Sequence, residues 1–189
     1  RDASKALAKL HTFDSEAPVG IQIYGHIPES MVDAAKMADR AADLVGGHGA
    51  DVIDINFGCP VRKIAGRGAG SGMMRDVPKM VEMTRRIVGA VKLPVTVKTR
   101  LGWDDDSKNI VEIAERLQDV GIAALTIHGR TRAQVYGGTA DWNCIRAVKE
   151  AVSIPVIAIG GITRDNVARL SGSGIVGVAV VSAIFAQPD

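Results

Sequence analysis

Cys59 is the residue of this sequence best suited to chemistry, because it lies in a turn directly after an apolar run. The surrounding sequence reads Asn56-Phe57-Gly58-Cys59-Pro60. Glycine permits a sharp turn and proline restricts the backbone that follows, so we expect the thiol to be held at the rim of the fold. A small buried thiol with only a packing role is the competing interpretation. The second cysteine, Cys144, follows Trp142 in a presumed helix, and we expect it to be structural.

Polar or small residues recur at the ends of successive apolar runs. They are Gln22, Asn56, Lys98, His128, the pair Gly160 and Gly161, and Ser182. If the runs are parallel strands, these residues converge on one rim, where barrel enzymes build their active sites. Lys98 could place an ammonium against an electron-rich ring, and a neutral His128 could donate a hydrogen bond to a cofactor carbonyl. An ordinary strand-end cation and a packed or capping histidine are the alternatives.

The last two runs end in Gly160-Gly161 and in Val181-Ser182. Backbone amides of glycine-rich turns bind phosphate, and in (β/α) barrels such a site recurs after strands seven and eight. The sequence therefore predicts a phosphate site at these two ends, with tight turns alone as the alternative.

Three cations, Arg62, Lys63 and Arg67, are interleaved with flexible glycines after the Cys59 turn. Such a loop could follow a nucleic-acid backbone or could be a solvated lid, and the sequence leaves both open. No acidic and histidine residues have the spacing of a metal site, so we expect no metal.

Six runs rich in valine and isoleucine must position these residues. They cover residues 19–24, 51–56, 94–99, 123–128, 155–160 and 177–182, and amphipathic helical patterns separate them. Repeated βα units predict a parallel sheet, either doubly wound or closed as a barrel. A complete (β/α)₈ barrel has eight strands and typically about 250 residues. We therefore predict an α/β fold, an incomplete (β/α)₈ TIM barrel that lacks its first two βα units.

Length and composition are those of one ordinary globular domain. The chain has 189 residues, is 47% hydrophobic and carries a formal net charge of +2. A net charge this small does not by itself indicate nucleic-acid binding. Its two cysteines form no disulfide framework, and its longest apolar run, 174–186, is too short to cross a membrane. We expect a cytoplasmic protein, and the absent start methionine predicts a fragment.

Residues 9–147 resemble the bacterial tRNA-dihydrouridine synthase family in four motifs that occur in order. The motifs are Gln22-Ile23-Tyr24-Gly25, Asp54 to Pro60, Val97 to Trp103, and His128-Gly129-Arg130-Thr131-Arg132. The resemblance implies an oxidoreductase that uses FMN, reduced by NADPH, to reduce uridine to dihydrouridine in tRNA.

The resemblance also implies a role for each matching residue. Cys59 would be the general acid, and the flavin ring would contact Gln22, Lys98 and His128, with the phosphate at Gly160, Gly161, Val181 and Ser182. Asn56 would help hold the flipped-out uridine, with Arg100 nearby at the substrate site, and Arg62, Lys63 and Arg67 would contact the tRNA backbone. A thiol suits the acid role because it is largely protonated at neutral pH.

The C-terminal segment, residues 154–189, instead resembles the end of thiamine-phosphate synthase, through Ala158 to Ile162 and Gly177 to Phe185. We therefore interpret the chain as a chimera within one partial barrel, with residues 1–150 of the first type and 151–189 of the second. The alternative functions are a thiamine-phosphate synthase-like transferase and a non-catalytic phosphate-binding fragment. Two unpaired sheet edges would also favour self-association.

Overall fold

The computed structural model describes residues 7–186 and contains the six predicted strands. They are β1 (Gly20–Ile23), β2 (Val52–Asn56), β3 (Val95–Arg100), β4 (Ala124–His128), β5 (Val156–Ile159) and β6 (Gly177–Ala179). The prediction was wrong about the end of β6, which stops at Ala179, because Ser182 already begins a short helix.

Seven α-helices accompany the strands in the described residues. They are α1 (Pro28–Asp39), α2 (Ala41–Val45), α3 (Arg62–Ala65), α4 (Val77–Val88), α5 (Ile110–Asp119), α6 (Trp142–Ala151) and α7 (Ser182–Phe185), and 3₁₀ turns cover Asp14–Glu16, Gly70–Arg75 and Val167–Leu170. None of the described helices has the length and apolar character needed to cross a membrane.

The strands form one sheet in the order β1-β2-β3-β4-β5-β6, and every neighbouring pair is parallel. A doubly wound sheet reverses its strand order partway across, whereas a barrel adds each strand beside the previous one. The observed order is therefore that of a barrel. The barrel is not closed: within residues 7–186, β1 and β6 each have one neighbour.

The apolar core lies between the sheet and its helices. On β2 and β3 the residues that face the helices, among them Ile53, Ile55, Val95 and Val97, are almost completely buried. The apolar stripes of α4, α5 and α6 belong to the same core cluster; these stripes comprise Met80, Met83, Ile87, Ile113, Leu117, Ile145 and Val148. Burying each such side chain stabilises the fold by about 1.5–3 kcal/mol before entropy costs are counted.

The opposite face of the sheet carries the polar residues, because side chains alternate along a strand. On this face β2 contributes Asp54 and Asn56, and β3 contributes Thr96, Lys98 and Arg100. The strand period thus sends apolar side chains to the core and polar ones to the inside of the incomplete barrel.

Candidate active site

A cavity of about 640 Å³ lies at the carboxyl ends of strands β2 to β6. Nine of the predicted site residues line it, namely Asn56, Cys59, Lys98, Arg100, His128, Gly160, Gly161, Val181 and Ser182. The volume falls within the range of about 300–1,000 Å³ that is typical of small-molecule sites. The structure therefore brings together residues that are up to 126 positions apart in the sequence, from Asn56 to Ser182.

The Cys59 turn is fixed by hydrogen bonds from two sides. Asn56 Oδ1 accepts hydrogen bonds from the backbone N–H groups of Gly58 (3.0 Å) and Cys59 (2.9 Å). Ser71 Oγ donates to the Cys59 carbonyl at 2.7 Å, and the backbone N–H of Ser71 donates to the same oxygen at 3.2 Å. Cys59 is partly exposed and lines the cavity, so its backbone is held in place while the residue remains accessible.

Arg100 is buried at the base of the cavity, with only 1% of its surface exposed. Its Nε donates to the Gly58 carbonyl at 2.7 Å, and Nη1 donates to the carbonyls of Thr131 (3.0 Å) and Val135 (2.7 Å). Burial lowers the pKa of Arg100 to about 10, which leaves it charged at neutral pH. One guanidinium thus joins the turn after β2 to the loop after β4.

Burial lowers the pKa values of both Lys98 and His128, and neighbouring cations lower them further. Burial, and then the neighbouring Arg100, lowers the pKa of Lys98. Burial lowers the pKa of His128 to about 3, with further contributions from the cations Arg100, Lys98 and Arg130. The imidazole is therefore neutral at physiological pH, and its buried Nδ1 has no hydrogen-bond partner among residues 7–186.

Gly160 and Gly161 form the turn after β5, and both have positive φ angles, of 104° and 68°. A Cβ atom on Gly160 would lie 2.7 Å from Cε1 of His128, so only glycine lets the backbone approach the imidazole this closely. Val181 and Ser182, at the start of α7, follow β6, which pairs with β5, and they line the cavity together with the Gly160–Gly161 turn.

Gln22 does not line the cavity but is linked to it through Asn56. Gln22 Oε1 accepts from Asn56 Nδ2 at 2.8 Å, and Gln22 Nε2 donates to Asp54 Oδ2 at 2.6 Å. Asp54 Oδ1 in turn accepts from Thr96 Oγ1 at 2.7 Å. The network fixes the orientation of the Asn56 amide, whose Nδ2 still has one N–H to offer a ligand.

The three cations of the glycine-rich loop lie outside the cavity. Arg62 and Lys63 are in α3 and Arg67 follows it, and all three side chains are exposed. Lys63 and Arg67 line a separate outer cleft. Their predicted contact with tRNA stays a prediction.

Sequence reasoning missed Tyr136 and Arg130, which line the cavity as well. The Tyr136 ring centroid lies 5.6 Å from the Arg100 guanidinium carbon and 6.4 Å from the centre of the His128 ring. Arg130 was visible in the motif that begins at His128, two positions from the strand end. Tyr136 gave no periodic signal, because it lies in a loop. Within residues 7–186 no group of three or more His, Cys, Asp or Glu side chains is placed to hold a metal ion.

The model of the dihydrouridine synthase family matches residues 2–189. A probable tRNA-dihydrouridine synthase of Rhodobacter capsulatus is 47% identical over 179 residues, which cover 94% of this chain and 52% of the relative. The tRNA-dihydrouridine synthase B of Pseudomonas putida is 41% identical over 185 residues, covering 97% of this chain and 52% of the relative. The chain thus spans about half the length of the curated relatives it matches.

The family match continues through residues 151–189, across the predicted junction. The assignment of that segment to a second family stays a prediction.

Solved structures show the barrel fold at low identity. Phosphoenolpyruvate phosphomutase from Streptomyces platensis subsp. rosaceus superposes with a TM-score of 0.57 at 21% identity, covering 93% of this chain and 61% of that one. The Amycolatopsis orientalis BexX/CysO complex superposes with a TM-score of 0.53 at 22% identity, covering 84% and 55%. At these identities the likeness concerns the fold alone.

Proposed function

Because this chain belongs to the dihydrouridine synthase family, we propose that its cavity is the uridine-reducing site of a tRNA-dihydrouridine synthase that uses FMN, with NADPH as reductant. The observation that carries the proposal is the convergence of Cys59, Lys98, His128 and the Gly160 turn on one cavity. A tRNA-modifying activity also accounts for the expected cytoplasmic location.

The residues of the cavity fit a phosphorylated flavin. The buried Nδ1 of His128 has no hydrogen-bond partner among the residues that the structure describes, which leaves a polar atom for a heteroatom of a ring system. Lys98 is a half-buried cation that suits an electron-rich ring. The segments at Gly160–Gly161 and Val181–Ser182 suit the phosphate, because both line the cavity and Gly160 and Gly161 have positive φ angles in a glycine turn of the kind that can bind anions.

When bound, FMN supplies the hydride that one carbon of the uracil double bond receives. The chain supplies the proton: the S–H bond of Cys59 breaks, and its proton goes to the neighbouring ring carbon, leaving a thiolate that solvent reprotonates. The hydrogen bonds with Asn56 and Ser71 hold the backbone of Cys59 in place for this transfer. The free N–H of Asn56 Nδ2 is available to orient the uracil.

A titration with FMN tests the proposed function. We expect saturable binding with quenched flavin fluorescence and a higher melting temperature, since a ligand that binds only the folded state stabilises it by about 2.7 kcal/mol at 100 times its Kd. Folded protein, shown by cooperative unfolding, that binds no FMN would remove the proposal.

The variant Cys59→Ala tests the role of the thiol. We expect it to abolish uridine reduction in tRNA, because the proton donor is gone, while FMN binds nearly as in the wild type. Cys144→Ala is the matched control, since that thiol is in α6 and does not line the cavity. Loss of FMN binding in Cys59→Ala would show that the cysteine is misassigned.

A further inference from the structure

A second cleft, of about 520 Å³, lies beside the cavity. Pro60 lines the cavity and the next residue, Val61, lines the cleft, so the chain between these residues separates the two spaces. Tyr24 forms part of the cleft directly after β1, and the register of β1 with β2 places it level with Asn56. The cleft is therefore at the same rim as Cys59.

An exposed aromatic ring occupies one side of this outer cleft. Tyr24 is 60% exposed, and within the described part of the chain no other ring or cation packs on its face. Val61, which is 50% exposed, adds an apolar ridge toward the cavity. A solvent-facing tyrosine beside an apolar ridge offers a surface on which a planar base can stack.

The outer cleft is also lined by cations that have no acidic partner among the described residues. Lys63 and Arg67 line it, and across residues 7–186 neither has a carboxylate within 4.0 Å. No aspartate or glutamate lines the cleft. His26 also lines the cleft, and a Cβ on Gly68 would lie 3.8 Å from the Cβ of His26. Such cations attract an anion, and phosphate is the anion that accompanies a base in a nucleic acid.

We propose that the outer cleft binds the nucleotide next to the target uridine in the RNA strand, with its base stacked on Tyr24 and its phosphate paired with Lys63 and Arg67. The inference rests on the proposed function, because it places the target uridine at Cys59. The ridge at Val61 lies between the two bases and keeps them apart, so that the uridine alone enters the cavity.

The test uses a fluorescein-labelled RNA pentanucleotide with a central uridine, and two versions that lack the base on its 5′ or its 3′ side. We expect removal of one of these two bases to weaken binding to the wild type by about 5- to 160-fold, the range for a base stacked on an aromatic side chain. In Tyr24→Ala the intact RNA binds weaker by a similar factor, and removal of the base causes no further loss. Tyr24→Phe keeps the ring and retains the wild-type affinity.

The cations are tested through the salt dependence of the same binding. Each cation that pairs with a phosphate of a single strand contributes about 0.7 to the slope of log K against log salt concentration, so Lys63→Ala with Arg67→Ala lowers the slope by about 1.4. Lys92→Ala is the matched control, because this exposed lysine precedes β3 at the opposite end of the sheet. Phe13→Ala is the control for an exposed ring away from the cleft.

The binding measurements need no FMN and no turnover, so the two proposals fail separately. If Tyr24→Ala binds the RNA as well as Phe13→Ala does, the cleft is not a nucleotide site. The same conclusion follows if the affinity lost in Tyr24→Ala and the affinity lost on removal of the base are additive. If the losses overlap but the protein binds no FMN, the proposed function fails and the cleft still binds RNA.

Discussion

The contact between Gly160 and His128 determines how closely a ligand can be enclosed at the end of the cavity. A Cβ on Gly160 would meet the imidazole at 2.7–3.0 Å, in a backbone conformation with φ of 104°. At Gly172, φ is 72° and nothing lies within 4 Å of such a Cβ. An alanine at Gly172 would therefore cost only the strain of a positive φ, whereas an alanine at Gly160 would also cost the overlap with His128.

We expect Gly160→Ala to destabilise the protein by about 2–4 kcal/mol, because the left-handed backbone and the overlap with His128 both oppose the methyl group. Gly172→Ala should cost only about 1–2 kcal/mol, for the backbone alone. Urea unfolding measures both values. Gly160→Ala should also weaken FMN binding, and equal costs for the two variants would contradict the described contact.

The neutral His128 makes the stability of the protein depend on pH. In the unfolded chain a histidine is protonated below about pH 6.5, whereas the folded protein keeps this ring neutral down to a pKa of about 3. Between these values the unfolded state binds more protons, so acid favours unfolding. The stability contributed by this residue is present above pH 6.5 and is lost as the pH falls toward 3.

We expect the wild type to lose more stability than His128→Gln between pH 7 and pH 5, by up to about 1.4 kcal/mol per pH unit below 6.5. Urea unfolding at the two pH values measures the difference. His11→Gln, at an exposed position, is the control and should behave like the wild type. Parallel losses in wild type and His128→Gln would show that the ring is not kept neutral.

At the residue scale, the sequence identified the parts of the site that lie at strand ends. Lys98 and His128 could be predicted because each ends an apolar run, and strand ends share a rim in a barrel. Tyr136 and the internal bonds of Arg100 could not, since they depend on where the loop after β4 folds back. The exposed position of Gln22 likewise depends on its being on the edge strand β1.

At the element scale, Arg100 connects two loops that the strands alone would leave independent. Its hydrogen bonds reach the carbonyl of Gly58 beside Cys59 and those of Thr131 and Val135 after β4. Val135 has a φ of 54°, which is uncommon for a β-branched residue. The guanidinium compensates part of that cost, because a charged group donates to its carbonyl.

We expect Arg100→Lys to lower the free energy of unfolding by about 2–3 kcal/mol, because a lysine ammonium cannot replace a planar guanidinium that donates hydrogen bonds to three carbonyls. The Cys59 turn should loosen, so Cys59 should react faster with a thiol reagent in a Cys144→Ala background. Arg86→Lys, whose partner Glu29 is on the surface, is the control. An unchanged rate at Cys59 would mean that Arg100 does not hold the turn.

The strands and the longer helices followed from periodicity, because their apolar residues repeat at the spacing that buries them. The predicted strand over 177–182 was too long, since its valines continue past the hydrogen-bonded part. Beyond Ala179 the chain leaves the sheet, and Val181 is 64% exposed, so its apolar character reflects no burial in this structure. Composition alone does not distinguish a valine inside a buried strand from an exposed valine that follows it.

At the scale of the whole molecule, the βα repeat alone was compatible with a doubly wound sheet or a barrel, and we predicted an incomplete barrel. The pairing of each strand with its predecessor confirms that prediction. That order also explains why the polar face of the sheet becomes one cavity: successive strand ends curve around a common centre, so Asn56 and Ser182 line the same space.

The same order leaves apolar surface near β6, which pairs only with β5 among the described strands. Val176, Val178, Val181, Ile184 and Phe185 are 40–83% exposed. Unpaired strand edges beside exposed apolar side chains favour association with a second copy. We therefore expect this chain to self-associate, with an average mass in sedimentation velocity that rises between about 1 and 100 µM, a range in which exposed apolar edges act.

The double variant Val178→Lys with Ile184→Lys should shift the chain toward the monomer, because like charges on an edge oppose pairing. Leu44→Lys is the matched control: Leu44 is 42% exposed but is in α2, away from β6, so its replacement should leave the association unchanged. A wild-type chain that stays monomeric throughout this range, or a control that dissociates as well as the double variant, would contradict association through β6.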